Sequence, residues 1–433
     1  YVLFSTIYDR QYDIGMIDLD AGHPVTGGHL AYIQYLFENG HLPDFDPTTV
    51  YQFNHPPLHH AVSALWLKLA SFFLEDTAVL EESLQIVPFV CSLLILWVLL
   101  RIVRRFALSE KAEAFLMALF SFHPALVLLS GSVNNDCMSL LFTLLCVDFS
   151  MAWIRRQSVG NAVKLALAVG FGMMTKQNVA EMAFPIAFVF LYVLIKRWKE
   201  DGFLATKKLW AQYVLFGIVS VPLGMWFYVR NLVLYKMPLV WIYTLPEDSW
   251  QYTGNVPVFH RFLWPVPSEM VDNLLHFKLG CGYNVWMQII RTSVLGEWDM
   301  AGVGRGVKVL AVLLMLTGAA LAALALAAFL AVFVFRAGKA ARAVRGRILT
   351  ADRILFAAGY FVNLLFYLKF AYDYPQECSM HFRYIEIELL FPAVALGFAL
   401  ESCRKKWTKG ALLALLSLFC ILGTAMTAVW CLG

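Results

Sequence analysis

The chain has 433 residues, 60% of them hydrophobic and 15% charged, with a mean hydropathy of +0.66 and a formal net charge of +4. A water-soluble domain of this length needs more polar surface, so lipid is the solvent for much of the chain. No nucleic-acid partner is expected, and the eight cysteines do not form a disulfide framework. Cys91, Cys137, Cys146 and Cys420 fall in apolar runs, where cysteine behaves as a small buried hydrophobe. Only Cys281 and Cys378 lie in segments where a disulfide is open.

Taken in order, residues 1–8 ("YVLFSTIY") read as the tail of a truncated first span. Further candidate spans are 84–101, 112–130, 136–154, 161–175, 177–195, 209–235, 307–335, 354–372, 381–400 and 410–431. Among them, 309–335, 210–229 and 410–433 carry no charge at all. Each is long enough to cross a hydrocarbon core of about 30 Å as a helix. The links 101–113, 155–164, 196–208, 336–353 and 401–409 hold 22 of the 34 Lys and Arg residues. The positive-inside rule places those links in the cytoplasm and the intervening ones outside. If 56–74 also crossed, every later link would change sides, so this segment is expected to lie in the interface or re-enter it. The expectation is therefore an all-α polytopic membrane protein of about eleven transmembrane helices, with interfacial helices in its first outer loop. Its regions are the span tail 1–8, the extracytoplasmic loop 9–83, helices over 84–235, a Trp/Pro-rich outer loop 236–306 and carboxy-terminal helices over 307–433.

Ionisable residues inside spans are costly and usually face a cavity or a partner. Here Asp136, Lys176, Glu181, Arg230, His381, Arg383, Glu386 and Glu388 all fall at the outer ends of their predicted helices. Their gathering on one leaflet points to a polar cavity near the outer surface. Taken singly, each has a plainer reading: Arg and Lys at helix ends snorkel to the interface, and "NND" at 134–136 suits a helix start.

The first outer loop carries Asp9, Asp13, Asp18, Asp20, Asp44 and Asp46, and six of the ten histidines. Asp13, a few residues past the first span, fits a general base for an acceptor hydroxyl. "DLD" (Asp18, Asp20) is a triplet able to hold a divalent ion on a phosphate. His55 and His59 have the i, i+4 spacing that puts two ring nitrogens on one helical face, with Pro56 and Pro57 in the first turn. Metal ligation by His55, His59, Asp18 and Asp20 is the lesser reading of these residues. For the histidines the greater reading is polar contact to a phosphate or a satisfied interfacial ring, and for the aspartates an ordinary acidic loop; no cofactor is required.

Several motifs together resemble the C-type (GT-C) superfamily of membrane glycosyltransferases, in its protein O-mannosyltransferase and lipid A aminoarabinose transferase branch. They are Asp13 in "RQYDIG", "HPPL" at 55–58, "HPALVLLSGSVNND" at 123–136, "GFGMMTK" at 170–176, "WFYVRN" at 226–231 and "HFRYIEIELLFP" at 381–392. The resemblance implies an inverting transferase in the plasma membrane that uses a polyprenyl-phosphate sugar on the extracytoplasmic face. It makes Asp13 the base and His55, Lys176, Arg230 and Arg383 the holders of the lipid phosphate, with Asp136 beside them. The Asp-Glu pair of the mannosyltransferases is not visible, and 236–306 holds no inserted carbohydrate-binding domain. The acceptor therefore stays open among a glycan, a glycolipid and a protein. The alternative class is a lipid-linked solute transporter or flippase, for which repeated halves and polar residues across the midplane are expected.

Overall fold

A computed structural model describes residues 2–3, 5–7, 27–278, 280–296, 300, 302–343 and 346–432. Among these the protein is helical, with one isolated antiparallel bridge, Tyr252 to Gln376. Eight helices matter below: α1 His29–Asn39, α2 Leu58–Ala70, α3 Asp136–Arg155, α4 Val159–Met173, α5 Lys207–Tyr235, α6 Val285–Leu295, α7 Arg305–Phe329 and α8 Leu390–Ser402.

Seven described helical stretches are long and apolar enough to cross a bilayer: Thr77–Arg104, Asp136–Arg155, Gln177–Asp201, Phe203–Tyr235, Arg305–Val334, Thr350–Asp373 and Lys406–Cys431. An eighth apolar helix, α4, is shorter, at 15 residues. The two remaining predicted spans are not single helices. Over 112–130 the chain forms Glu110–Ser121, breaks at Phe122 and His123, and restarts as Pro124–Leu129. Pro124 has no N–H to continue the earlier helix but suits the first position of the next. Over 381–400 the first part is a series of 3₁₀ turns, and only α8 is a true helix. The predicted first span and most of the loop carrying Asp13, Asp18 and Asp20 lie outside the described residues.

The chain divides into two compact units. The amino-terminal unit comprises residues 2–98 and 129–243. In it, α4 packs between α3 and α5, and α1 lies on α2. The approach of α4 to α5 depends on small residues: a Cβ on Gly170 would meet Leu223, and one on Gly224 would meet Met173. Ile7, Leu30, Ile33, Ala64, Leu67, Leu84 and Val133 form the core under α1 and α2. The opposite face of α2 presents Leu65 and Leu69. In the carboxy-terminal unit, residues 99–128 and 244–433, α7 packs on α8 and on the last helix. Val285, Tyr367, Ala371, Met380, Phe382 and Ile385 fill its core beside Ala125. Phe106, Phe333, Phe356 and Phe398 stack into a second apolar layer of that unit.

Candidate active site

The amino-terminal unit gathers four of the sequence motifs around one turn. Helix α4 ends at Met173, so the carbonyls that follow lack intrahelical partners. Three donors from three distant segments fill the gap. The Tyr228 hydroxyl of α5 donates to the Met173 carbonyl at 3.1 Å. The Leu58 N–H, from "HPPL", donates to the Met174 carbonyl at 2.8 Å. The Asn135 side-chain amide donates to the Thr175 carbonyl at 3.0 Å. The next residue is Lys176, whose backbone turns extended before the chain continues.

Lys176 forms an ion pair with Asp136, and both are buried. Asp136 opens α3, where its N–H donates to the Asn134 side-chain oxygen at 3.0 Å. A carboxylate at a helix N-terminus is favoured by the helix dipole, so the acid is held in place from behind as well as by the ammonium. Asn135 does not cap the helix with its side chain, as its position in "NND" predicts; the amide reaches across to Thr175 instead.

Beside this turn lies a cluster of histidines. The α1 ring of His29 stacks on His60 with centroids 5.2 Å apart, and its Nδ1 lies 2.9 Å from His60 Nε2. His55 stacks on the other ring neighbour, His29, at 5.5 Å, and His59 meets His29 edge-on at 6.4 Å. His55 therefore does not share a helical face with His59. It precedes α2, which begins only after the two prolines, and Pro57 is the residue before the first turn. Two glycines bring α1 to this position. A Cβ on Gly27 would collide with Tyr51, and Gly28, at φ 118°, donates its N–H to the Tyr51 carbonyl at 2.8 Å.

His29, His59 and His60 are buried, and Tyr32 stacks on His60 at 4.3 Å. Burial pushes His59 down to about 4, against the opposing pull of Asp136. It pushes His60 well below its ordinary value, with the neighbouring histidine rings acting in the same direction. His59 and His60 are therefore neutral at pH 7, and His59 Nε2 has no hydrogen-bond partner among the described residues. No group of three or more His, Cys, Asp or Glu among the described residues is placed to hold a metal ion.

Arg230, at the end of α5, is partly spent on architecture. One guanidinium nitrogen donates to the Pro43 carbonyl at 2.7 Å and another to the Asn231 side chain at 2.9 Å. Tyr235 donates to the same carbonyl at 3.3 Å, so the segment between α1 and α2 is tied to α5 at Pro43.

Arg383 belongs to the carboxy-terminal unit. It sits buried in a 3₁₀ turn with its guanidinium 5.0 Å from the Tyr384 ring centre and bonded to the Tyr384 hydroxyl at 3.1 Å. The turn is fixed by α6, whose Thr292 hydroxyl accepts from the Phe382 N–H at 2.8 Å, and by Tyr367, which donates to the Met380 carbonyl at 2.5 Å. One turn earlier on α6, Gln288 donates to Glu377 at 2.9 Å, and Arg291 lies 4.0 Å from the same carboxylate. Sequence patterns did not single out Arg291 or Glu377, because neither stands in an uncharged run. All eight cysteines are free thiols, so the Cys281–Cys378 disulfide is not formed. Asp13, Asp18 and Asp20 lie outside the described residues.

Residues 54–226 match the model of the dolichyl-phosphate-mannose-protein mannosyltransferase family. By sequence alone, no curated protein matches the chain. Among solved structures, the chain is similar to the oligosaccharyltransferase of Archaeoglobus fulgidus crystallised with zinc and sulfate. That match has a TM-score of 0.50 and 14% identity over 98% of this chain and 50% of the other. A second structure of an oligosaccharyltransferase from that organism, AglB, with an inhibitory peptide and dolichol phosphate, has a TM-score of 0.45 at 13% identity, over 97% of this chain and 53% of that one. ArnT from Cupriavidus metallidurans, in the apo state, has a TM-score of 0.41 at 14% identity, over 98% of this chain and 75% of its own. The chain thus spans about half the length of the archaeal enzymes.

Proposed function

We propose that the chain is a membrane glycosyltransferase of the GT-C type that transfers a sugar from a polyprenyl-phosphate donor to an acceptor, a reading supported by the match of residues 54–226 to the mannosyltransferase model and by the fold it shares with the archaeal oligosaccharyltransferase. The observation that carries the reading is the buried Lys176–Asp136 pair on the 173–176 turn, assembled by residues within the stretch that matches the mannosyltransferase model. The departing lipid phosphate is a weak base. It needs charge stabilisation more than a proton, and a pre-positioned ammonium supplies that. Asp136 fixes the direction of the buried ammonium through a charge-assisted contact.

In this reading His55 is a polar contact at the edge of the phosphate site. Arg230 combines a donor role with its anchoring of Pro43. Arg383 is a cation for an anionic group in its own unit. Asp13 is the general base that takes the proton from the acceptor hydroxyl as the oxygen attacks the anomeric carbon. The carbon–oxygen bond to the phosphate then breaks with inversion. A divalent ion bound through Asp18, Asp20, His55 or His59 is not needed for these steps. The protein is a multi-pass membrane protein; the charge distribution of its links supports a site on the extracytoplasmic face, and a plasma-membrane location is part of the same proposal. The acceptor is a glycan, a glycolipid or a protein.

The test is release of polyprenyl phosphate from a radiolabelled polyprenyl-phosphate sugar by the chain reconstituted in liposomes. Asp13→Asn is expected to lower turnover by about 100-fold or more while leaving donor binding intact. Retained turnover removes Asp13 as the base. Donor that crosses the bilayer with its sugar–phosphate bond unbroken identifies a flippase instead.

A further inference from the structure

We propose that Asn135 and Tyr228 are positioning residues for Lys176, acting through the backbone of the turn that carries it. This rests on the reading of Lys176 as a phosphate contact and extends it to two residues that touch no substrate in that scheme.

The argument begins with the end of α4. Past Met173 the backbone leaves the helix, and a turn with unanchored carbonyls would be free to move. Its internal bonds run back to the end of α4: the Met174 N–H donates to the Gly170 carbonyl at 3.2 Å, and the Gly172 carbonyl accepts from the Thr175 and Lys176 N–H groups at 2.9 and 3.0 Å and from the Thr175 hydroxyl at 2.5 Å. Those bonds hold the shape of the turn but not its place. Its place is set by the three outside donors to the carbonyls of Met173, Met174 and Thr175. One of these is a backbone N–H. The other two are the side chains of Tyr228 and Asn135, both buried.

Asn135 has a further property. It is adjacent to Asp136, so one rigid helix start grips the peptide just before Lys176 and also the ammonium at the far end of its side chain. Two fixed points on a flexible four-carbon stem confine it to few rotamers, which is how a lysine becomes a directed donor rather than a mobile charge. Tyr228 fixes the start of the turn from the opposite side, through α5. If either bond is removed, the ammonium keeps its ion pair but loses its register against a bound phosphate.

The experiment compares undecaprenyl phosphate with undecaprenol as ligands of the full chain in nanodiscs. The ratio of the two affinities isolates recognition of the phosphate from burial of the lipid tail. Tyr228→Phe and Asn135→Leu are each expected to lower that ratio about tenfold. In a Lys176→Met background, where the ratio is already reduced, either substitution is expected to change it by less than about twofold. Equal losses in both backgrounds overturn the proposal, since the residues would then act independently of Lys176. A Tyr228→Phe protein with an unchanged ratio also overturns it, whatever its melting temperature. Should Asn135→Leu fail to fold, Tyr228→Phe carries the test, because it removes one hydroxyl and leaves the ring in its packing. If Lys176→Met leaves the ratio intact, the phosphate role of Lys176 fails and the positioning role falls with it. If Lys176→Met lowers the ratio while neither Tyr228→Phe nor Asn135→Leu does, only the positioning role is lost.

Discussion

Replacing Asp136 by Asn leaves the Lys176 ammonium buried beside a neutral amide. The side chains are 3% and 11% exposed, so solvent screens their attraction far less than it would at a surface, where such a pair contributes about 0–1 kcal/mol. Removing one partner of a buried pair costs about 3–5 kcal/mol, chiefly because the remaining charge has lost its solvent and its counter-ion. The lysine retains slight exposure and a flexible stem, which favours the lower end, about 3 kcal/mol, or about a 150-fold shift in the unfolding equilibrium. Reversible unfolding in mixed micelles, followed by the resistance of the chain to proteolysis, measures this quantity. The double variant Asp136→Leu with Lys176→Met removes both charges and is expected to return to within about 1 kcal/mol of the parent. An Asp136→Asn protein within about 1 kcal/mol of the parent would refute the claim that the pair is desolvated.

The histidine cluster makes stability depend on pH with a definite sign. His59 is lowered from 6.5 to about 4 in the folded chain, so on acidification the unfolded chain takes up that proton first. Its contribution is complete above about pH 6.5 and is lost as pH falls toward 4, amounting to about 3 kcal/mol, with His60 acting in the same sense. Melting temperature against pH should therefore drop across that window, and the slope should be shallower in His59→Phe. Gly172→Ala should destabilise by about 1–3 kcal/mol, because the new methyl would stand 2.5 Å from Val179 and 3.0 Å from Phe142. Denaturant midpoints should show partial recovery when Val179→Ala is added. Asn284→Ala should cost about 1–2 kcal/mol by the same assay, since Asn284 accepts from the N–H groups of Trp286 and Met287 at the start of α6 and donates to the His260 carbonyl. A change below about 0.5 kcal/mol would show that neighbouring groups replace the cap.

Most of the helices were readable because hydropathy is summed locally. A run such as 210–229 meets lipid whatever the rest of the chain does, and α5 indeed covers it. The misreadings fall where local composition is compatible with more than one backbone. The apolar stretch 112–130 breaks at His123 and Pro124, and 381–389 coils into 3₁₀ turns around His381, Arg383, Glu386 and Glu388. The spacing of His55 and His59 suggested a shared helical face, but α2 starts after the prolines, and His55 turns to His29 instead.

The site shows the same division. Lys176 and Asp136 stood out in the sequence because charge is expensive at the end of an apolar helix. Their pairing did not, since 40 residues separate them. Asn135 looked like a helix cap, and Tyr228 stood only as one residue of "WFYVRN". What the sequence by itself determined was the solvent of each segment and the list of charges that would need partners. Only the tertiary structure decided which partners they took. A hydrogen bond between Tyr228 and Met173, or Asn135 and Thr175, exists only once α3, α4 and α5 have packed, and nothing in the local pattern of any one helix encodes that geometry.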